Sequence, residues 1–149
     1  MKKIFVSLSL MVTVALTATV FARDKFDVND RVKESFNREF AGATSVKWEK
    51  DKDFQRATFF LYDHQVIAYF NTDGELLGSA RDVFFHEAPM AVIKSIRENF
   101  AGIDPIEVLE VSNTEGTFYR ITLEKQNKRY HIKASADGNI LEVLKIKNN

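Results

Sequence analysis

The stretch FQRATFFLYDHQVIAYFNTDGELL, at residues 54–77, decides the fold because it returns as FYRITLEKQNKRYHIKASADGNIL at residues 118–141. Both stretches alternate apolar and polar residues, which is typical of antiparallel strands with one buried face. Turn residues at Asp63-His64, Asp73-Gly74 and Asp137-Gly138 predict the hairpins between the strands. At an offset of 64 the stretches align without a gap, with identity at Phe54/Phe118, Arg56/Arg120, Thr58/Thr122, Asp73/Asp137, Gly74/Gly138 and Leu77/Leu141.

An amphipathic helix is predicted in front of each stretch. Val32, Phe36 and Phe40 recur at every fourth position, and Gly42 follows where helices commonly end in a left-handed residue. The second helix repeats this stripe at an offset of 60 and ends in the same Phe-Ala-Gly, at residues 100–102. We interpret residues 111–115 as the site of a four-residue insertion that changes the offset.

The repeats predict the fold class and the domain limits. We expect an α+β protein, a tandem duplication of one helix followed by about four antiparallel strands, with the helices packed on one face of the sheet. The repeats span about residues 27–83 and 88–147 and form a single domain of residues 23–149. A chain of 149 residues with 45% hydrophobic content can bury such a core without metals or disulfides.

The first 22 residues have the pattern of a signal peptide. Lys2 and Lys3 precede an uncharged run, and Val20-Phe21-Ala22 supplies a suitable cleavage site. We predict cleavage after Ala22, a periplasmic or extracellular location and no stable membrane insertion afterwards. An uncleaved membrane anchor is the alternative, because the run is nearly long enough to span a bilayer.

Charge and motif content exclude several classes of function. Without Lys2 and Lys3 the chain has 19 basic and 21 acidic residues, so it lacks the basic excess that nucleic-acid binding requires. The absence of cysteine excludes a disulfide framework and a thiolate nucleophile. The three histidines lack ligand spacing, and no serine lies in a nucleophile motif. We therefore expect no metal, no cofactor and no catalytic residue.

The chain resembles a family of exported PepSY-like proteins known as β-lactamase-inhibitor-like. The resemblance rests on the helix ending Phe-x-x-x-Phe-Ala-Gly at residues 36–42, on Val46-Lys47-Trp48, on residues 68–76 and on their echo at residues 133–141. It covers residues 27–146 and implies a sheet with helices on one face and a free second face. It also implies inhibitory or regulatory binding to an envelope protein. The first turn, Asp63-His64, departs from the pattern because it lacks the usual glycine.

The two repeats differ on the face turned away from the helices. In the second repeat this face is polar, as expected of a solvated antiparallel sheet, with Glu124, Gln126, His131 and Lys133. The equivalent residues of the first repeat are Phe60, Tyr62, Ile67 and Tyr69. Large exposed apolar patches on soluble proteins are commonly interaction sites, so we predict that these four residues bind an unidentified envelope or secreted protein.

Two alternatives to this binding surface follow from the same residues. Phe84 and Phe85 in the connector between the repeats, or the curvature of one continuous sheet, could bury the four side chains inside the molecule. The same aromatic residues could instead line a pocket between sheet and connector, which would make the protein a carrier of a small apolar ligand.

Overall fold

The computed structural model describes residues 27–126 and 128–147, and the predicted signal peptide lies outside these residues. The first element of the described residues is α1 (Asp30–Glu39), which four strands follow: β1 (Thr44–Lys50), β2 (Phe54–Leu61), β3 (His64–Asn71) and β4 (Leu76–Asp82). A single 3-10 turn (Phe85–Glu87) leads into α2 (Met90–Asn99). Four further strands complete the chain: β5 (Pro105–Asn113), β6 (Gly116–Lys125), β7 (Lys128–Ser135) and β8 (Ile140–Lys147).

All eight strands form one antiparallel sheet in the order of the sequence. The predicted α+β class, with two units of a helix and about four strands, is therefore wrong: the residues that the structure describes form mainly a continuous eight-stranded sheet that carries two ten-residue helices. The error lies in residues 109–113, of which we assigned 111–113 to an insertion. They form the second half of β5 and pair with residues 78–82 of β4, so the sheet runs through the middle of the chain without a break.

The first hairpin also differs from its prediction. Leu61 pairs with His64, so Tyr62 and Asp63 form the turn, and both have positive φ, at 50° and 67°. Two residues of this conformation match the right-handed twist of the strands. A turn at Asp63-His64 would pair Tyr62 with Gln65, and the observed pairing is displaced from this by two residues. An even displacement leaves every strand residue on its predicted face. Tyr62 alone leaves the sheet, because it lies in the turn.

Both helices pack on the same face of the sheet, over two separate hydrophobic cores. Directly paired residues lie on one face, and the pairs link Val66 to Arg81, Arg81 to Glu110, and Glu110 to Tyr119. The core under α1 contains Val28, Val32, Phe36, Ala57, Phe59, Val66, Ala68 and Phe70. The core under α2 contains Ala88, Val92, Ile93, Ile96, Val108, Tyr119, Ile121, Leu123, Ile132 and Ala134.

Phe36 is the centre of the first core. Its ring lies 4.9 Å from that of Phe59 and 5.1 Å from that of Trp48, both edge to face. Such aromatic pairs stabilise a core beyond the area they bury. Because apolar residues recur at every fourth position of α1, they lie along one side of the helix. That side faces β1 and β2 and places the Phe36 ring against Trp48 and Phe59.

Each helix begins against a hairpin turn of its own core. A Cβ atom at Gly74, in the β3–β4 turn, would lie 2.7 Å from the Arg31 carbonyl oxygen in the first turn of α1. At Gly138, in the β7–β8 turn, it would lie 2.4 Å from the Ala91 carbonyl oxygen in α2. Glycine is required at both positions by this close approach and by φ angles of 89° and 85°.

A polar seam divides the two cores at the middle of the helix-bearing face. Arg81 Nη2 donates a hydrogen bond to Glu110 Oε1 at 3.0 Å, and the Tyr119 hydroxyl donates to Glu110 Oε2 at 2.8 Å. The Tyr119 ring is buried in the second core. Burial, with the neighbouring Glu110 carboxylate, raises the pKa of Tyr119 to about 12. The seam thus ties β4, β5 and β6 together between the two cores.

Candidate protein-binding face

The predicted binding residues lie on the face opposite the helices, which we call the open face. Phe59 packs under α1, so its neighbour Phe60 points to the open face, because successive side chains of a strand alternate. Phe60 is 45% exposed. Tyr62, in the turn beyond the end of the strand, is 83% exposed. These two side chains form the accessible end of the predicted surface.

Ile67 and Tyr69 follow on β3 and are half-buried. Tyr69 packs edge to face against Phe54, with ring centroids 5.5 Å apart. The structure therefore places Phe60, Ile67 and Tyr69 on one side of the β2–β3 hairpin and Tyr62 at its tip.

The apolar surface continues beyond the four predicted residues. Ile67 pairs with Ala80, Ala80 with Val111, and Val111 with Phe118, so four strands contribute to one line across the open face. We call Ile67, Ala80, Val111 and Phe118 the apolar row; all four are half-buried. Sequence comparison of the repeats missed Ala80 and Val111, because it predicted neither the β3–β4 pairing that places Ala80 beside Ile67 nor the β4–β5 pairing that places Val111 beside Ala80.

The connector aromatic residues pack elsewhere. Phe85 packs against the core under α2, with the Arg97 guanidinium 6.0 Å from its ring centroid. Phe84 is 66% exposed and stacks on His86, with ring centroids 5.5 Å apart. His64, predicted to be a turn residue, is instead the first residue of β3, and its Nδ1 lies 2.8 Å from the Asp82 carbonyl oxygen.

Ion pairs border the apolar part of the open face. Arg56 pairs with Glu49 on the neighbouring strand, next to Tyr69. A cleft of about 210 Å³ opens there, and four of its six lining residues are charged: Glu49, Lys50, Asp51 and Arg56. Such a lining does not suit an apolar ligand, since small-molecule sites are predominantly apolar and commonly larger.

A second cleft, of about 280 Å³, lies on the open face over β5 to β8. On its floor the Thr122 hydroxyl donates to Glu107 Oε2 at 3.0 Å. A hydroxyl has one proton, so the contact of 3.2 Å with His131 Nδ1 requires the imidazole to donate. Thr122 itself is only 6% exposed. The three side chains act as a polar floor between strands.

Charged side chains surround this second cleft. Arg120 pairs with Lys133 on the ladder, and Lys133 pairs in turn with Glu142. The Lys133 ammonium lies 4.3 Å from the centroid of the Phe118 ring, at the end of the apolar row. The open face therefore changes from apolar to charged between β3 and β7.

The described residues do not provide a metal site or a membrane-spanning helix. Within residues 27–126 and 128–147, no three His, Asp or Glu side chains are grouped so that they could hold a metal ion. In the same residues, neither helix has the length and apolar character needed to cross a membrane.

The fold is shared with solved bacterial proteins. No family model and no curated protein matches the chain. A BLIP-like protein from Bacteroides fragilis superimposes with a TM-score of 0.74 over 85% of this chain and 92% of its own length, at 18% identity. A "putative periplasmic" protein from Bacteroides eggerthii has a TM-score of 0.73 at 22% identity over 82% and 91% of the two chains. A DUF2874 family protein from Bacteroides uniformis has a TM-score of 0.72 at 16% identity over 80% and 90%. At these identities the likeness shows the fold alone.

Proposed function

We propose that this protein is an exported binding module that recognises another protein of the cell envelope through the open face of its sheet. The observation that carries the proposal is the exposure of Phe60, beside the half-buried Ile67 and Tyr69 on the sheet face opposite the two described helices, together with the exposure of Tyr62 at the tip of the same hairpin. Soluble proteins seldom leave connected aromatic residues exposed unless they bind something there.

The chemistry of the surface favours a protein over a small ligand. Tyrosine and phenylalanine are enriched at protein interfaces because they bring a large contact area and have few rotamers to lose. The apolar row extends the surface across four strands, and charged residues border it at Arg56 and Lys133. An apolar centre with a charged border is the usual arrangement of a protein interface.

The cellular location is part of the proposal. The signal-peptide pattern at residues 1–22 supports export, and a protein of the same fold is described as "putative periplasmic". The BLIP-like description of another protein of this fold supports binding to a protein partner. Inhibition of that partner would be one consequence of binding.

The test is capture of partners from periplasmic extract by the exported protein. The Phe60→Ser/Tyr62→Ser variant removes the two exposed side chains, and the variant that also carries Ile67→Thr and Tyr69→Ser removes the whole predicted surface. Met90→Ser/Phe84→Ser is the matched control, because Met90 and Phe84 are 77% and 66% exposed but lie outside the sheet. Thermal unfolding followed by circular dichroism checks that each variant is folded.

We expect the wild type and the control to capture the same proteins. Capture by the Phe60→Ser/Tyr62→Ser variant should fall at least about tenfold, which corresponds to about 1.4 kcal/mol of binding free energy. Equal recovery by all variants, or no specific recovery by the wild type, would contradict the proposal. Intact-mass measurement of the same preparation shows whether the exported chain begins at Arg23.

A further inference from the structure

The outer edge of β8 is a second unusual surface, on the far side of the sheet from the predicted binding residues. β8 is the last strand of the sheet, and no described residue pairs with its outer side. It runs for eight residues and exposes apolar side chains on both faces of the sheet: Leu141 at 57%, Val143 at 44%, Leu144 at 52% and Ile146 at 47%. Long apolar edges of this kind are templates for pairing with another strand.

The opposite edge of the sheet, β1, is protected against such pairing. A bulge interrupts its ladder between Thr44 and Lys47, and Ser45 has a φ of 55°. The exposed residues of β1 are polar or charged. Bulges and edge lysines are common devices that prevent strand addition. β8 also has a bulge, at Leu141, and an exposed lysine, Lys145, but its regular residues 142–146 carry three exposed apolar side chains, whereas every exposed residue of β1 is polar or charged. β8 is therefore the edge better suited to accept a partner strand.

We propose that β8 pairs antiparallel with β8 of a second copy of this chain, about a two-fold axis at Leu144. Pairing of β8 with β1 of another copy would build an open fibre, and the bulge and charges of β1 oppose it. Pairing of β8 with itself closes after two copies. The two sheets then join edge to edge, and both pairs of helices remain on one side.

The register follows from regularity and charge. A two-fold axis perpendicular to the sheet places the residue at the axis directly opposite the same residue of the second copy. An axis at Glu142 or Lys145 would therefore bring two like charges together, which is unfavourable. An axis at Val143 would extend the ladder into the bulge at Leu141, where the pairing of β7 and β8 shifts. An axis at Leu144 uses the regular residues 142–146 on both copies, and it places Leu144 opposite Leu144 on the open face.

The proposed dimer leaves the Phe60 and Tyr62 surface accessible. β8 and β2 are separated by five strands, so the proposal does not rest on the proposed function. A dimer would display two copies of that surface on one continuous open face. If the envelope partner is itself repeated, two linked sites raise the effective affinity without a new contact.

The first test is the molar mass of the full chain, expressed with its own N-terminal segment, by sedimentation equilibrium from about 1 µM to about 1 mM. A single strand pair is a small interface, so we expect a concentration-dependent dimer. Leu144→Lys places two charges opposite each other at the axis and should weaken dimerisation at least about tenfold. Phe60→Ser is the matched control, since it removes an exposed apolar residue far from β8, and it should leave the dimer unchanged.

The second test uses the absence of cysteine from the chain. Leu144→Cys should form a disulfide-linked dimer on mild oxidation, because residues directly opposite on antiparallel strands have Cα atoms about 4.5–5.5 Å apart. Val143→Cys should form little, since the proposed register displaces it from its own copy by two residues, about 7–8 Å. Lys47→Cys on β1 should form no disulfide-linked dimer above the amount produced by random collision.

A monomer throughout the concentration range would overturn the proposal. So would a dimer that survives Leu144→Lys or is lost in Phe60→Ser, because it would use another surface. Faster cross-linking of Val143→Cys or Lys47→Cys than of Leu144→Cys would overturn the register. Both β8 side chains are exposed, so these substitutions should leave the melting temperature of the monomer nearly unchanged, and circular dichroism checks this.

Discussion

Tyr119 shows how a single side chain connects the two cores to the polar seam. Its ring is buried with the α2 core, and its hydroxyl donates to Glu110, which also accepts from Arg81. Alternation along β6 predicts a strand there, but the sequence could not show that Tyr119 meets an acid and a base, because Glu110 and Arg81 lie on strands whose pairing was not predicted. We expect Tyr119→Phe to lower the free energy of unfolding by about 1–2 kcal/mol at pH 7, since a hydrogen bond to a charged acceptor is lost.

The same residue predicts a pH dependence. The pKa of Tyr119 rises from its ordinary value of 10 to about 12 on folding. Between pH 10 and pH 12 the Tyr119 hydroxyl loses its proton in the unfolded chain but keeps it in the folded protein. The contribution of Tyr119 to the free energy of unfolding is therefore complete below pH 10 and is lost as the pH rises towards 12. The stability difference between wild type and Tyr119→Phe, measured by urea unfolding, should therefore shrink over this window. Tyr130→Phe is the control for general tyrosine ionisation, and a difference that stays constant with pH would contradict the assignment.

At the scale of elements, the turns that carry Gly74 and Gly138 could be predicted from the sequence, and the length of β5 could not. An Asp-Gly turn is a local signal that depends on the conformation of glycine. The second half of β5 has no such signal: Ser112 and Asn113 are polar, and the repeat alignment treats them as part of an insertion. These residues pair with β6 in a hairpin closed by Asn113 and Gly116, and also with β4, more than 25 residues earlier. No local pattern indicates the pairing with β4, which makes the sheet continuous.

The contact of each turn with a helix makes a prediction at this scale. Gly138→Ala adds a Cβ atom 2.4 Å from the Ala91 carbonyl oxygen at a φ of 85°, whereas Gly102, with a φ of 73°, has no atom within 4 Å of its added Cβ. Gly102→Ala should cost about 1–2 kcal/mol, which is the conformational penalty alone. Gly138→Ala should cost at least about 2 kcal/mol more, because α2 must move off its turn. Equal losses in urea unfolding would show that the helix does not depend on this contact.

At the scale of the whole molecule, the two cores are distinct, yet we expect them to unfold together. The β4–β5 ladder joins them through five residue pairs, and the Arg81, Glu110 and Tyr119 seam holds the same strands side by side. Opening this junction would expose unpaired strands on both halves, so an intermediate with one folded core should be poorly populated. Trp48, the only tryptophan, lies 5.1 Å from Phe36 in the first core and reports that half alone, whereas far-UV circular dichroism reports all eight strands.

Coincident urea transitions by the two probes are therefore expected for the wild type. Gly138→Ala provides a stricter test of coupling between the two halves. The substitution lies in the second half, whereas the Trp48 fluorescence signal comes from the first. If the sheet unfolds as one unit, the Trp48 transition should move to lower urea by the same amount as the circular dichroism transition. A Trp48 transition that stays at the wild-type midpoint would mean that the halves are independent. In the first case the two halves unfold together because residues 78–82 pair with residues 109–113 and make the sheet continuous. The similarity of the two stretches of sequence does not by itself predict this coupling.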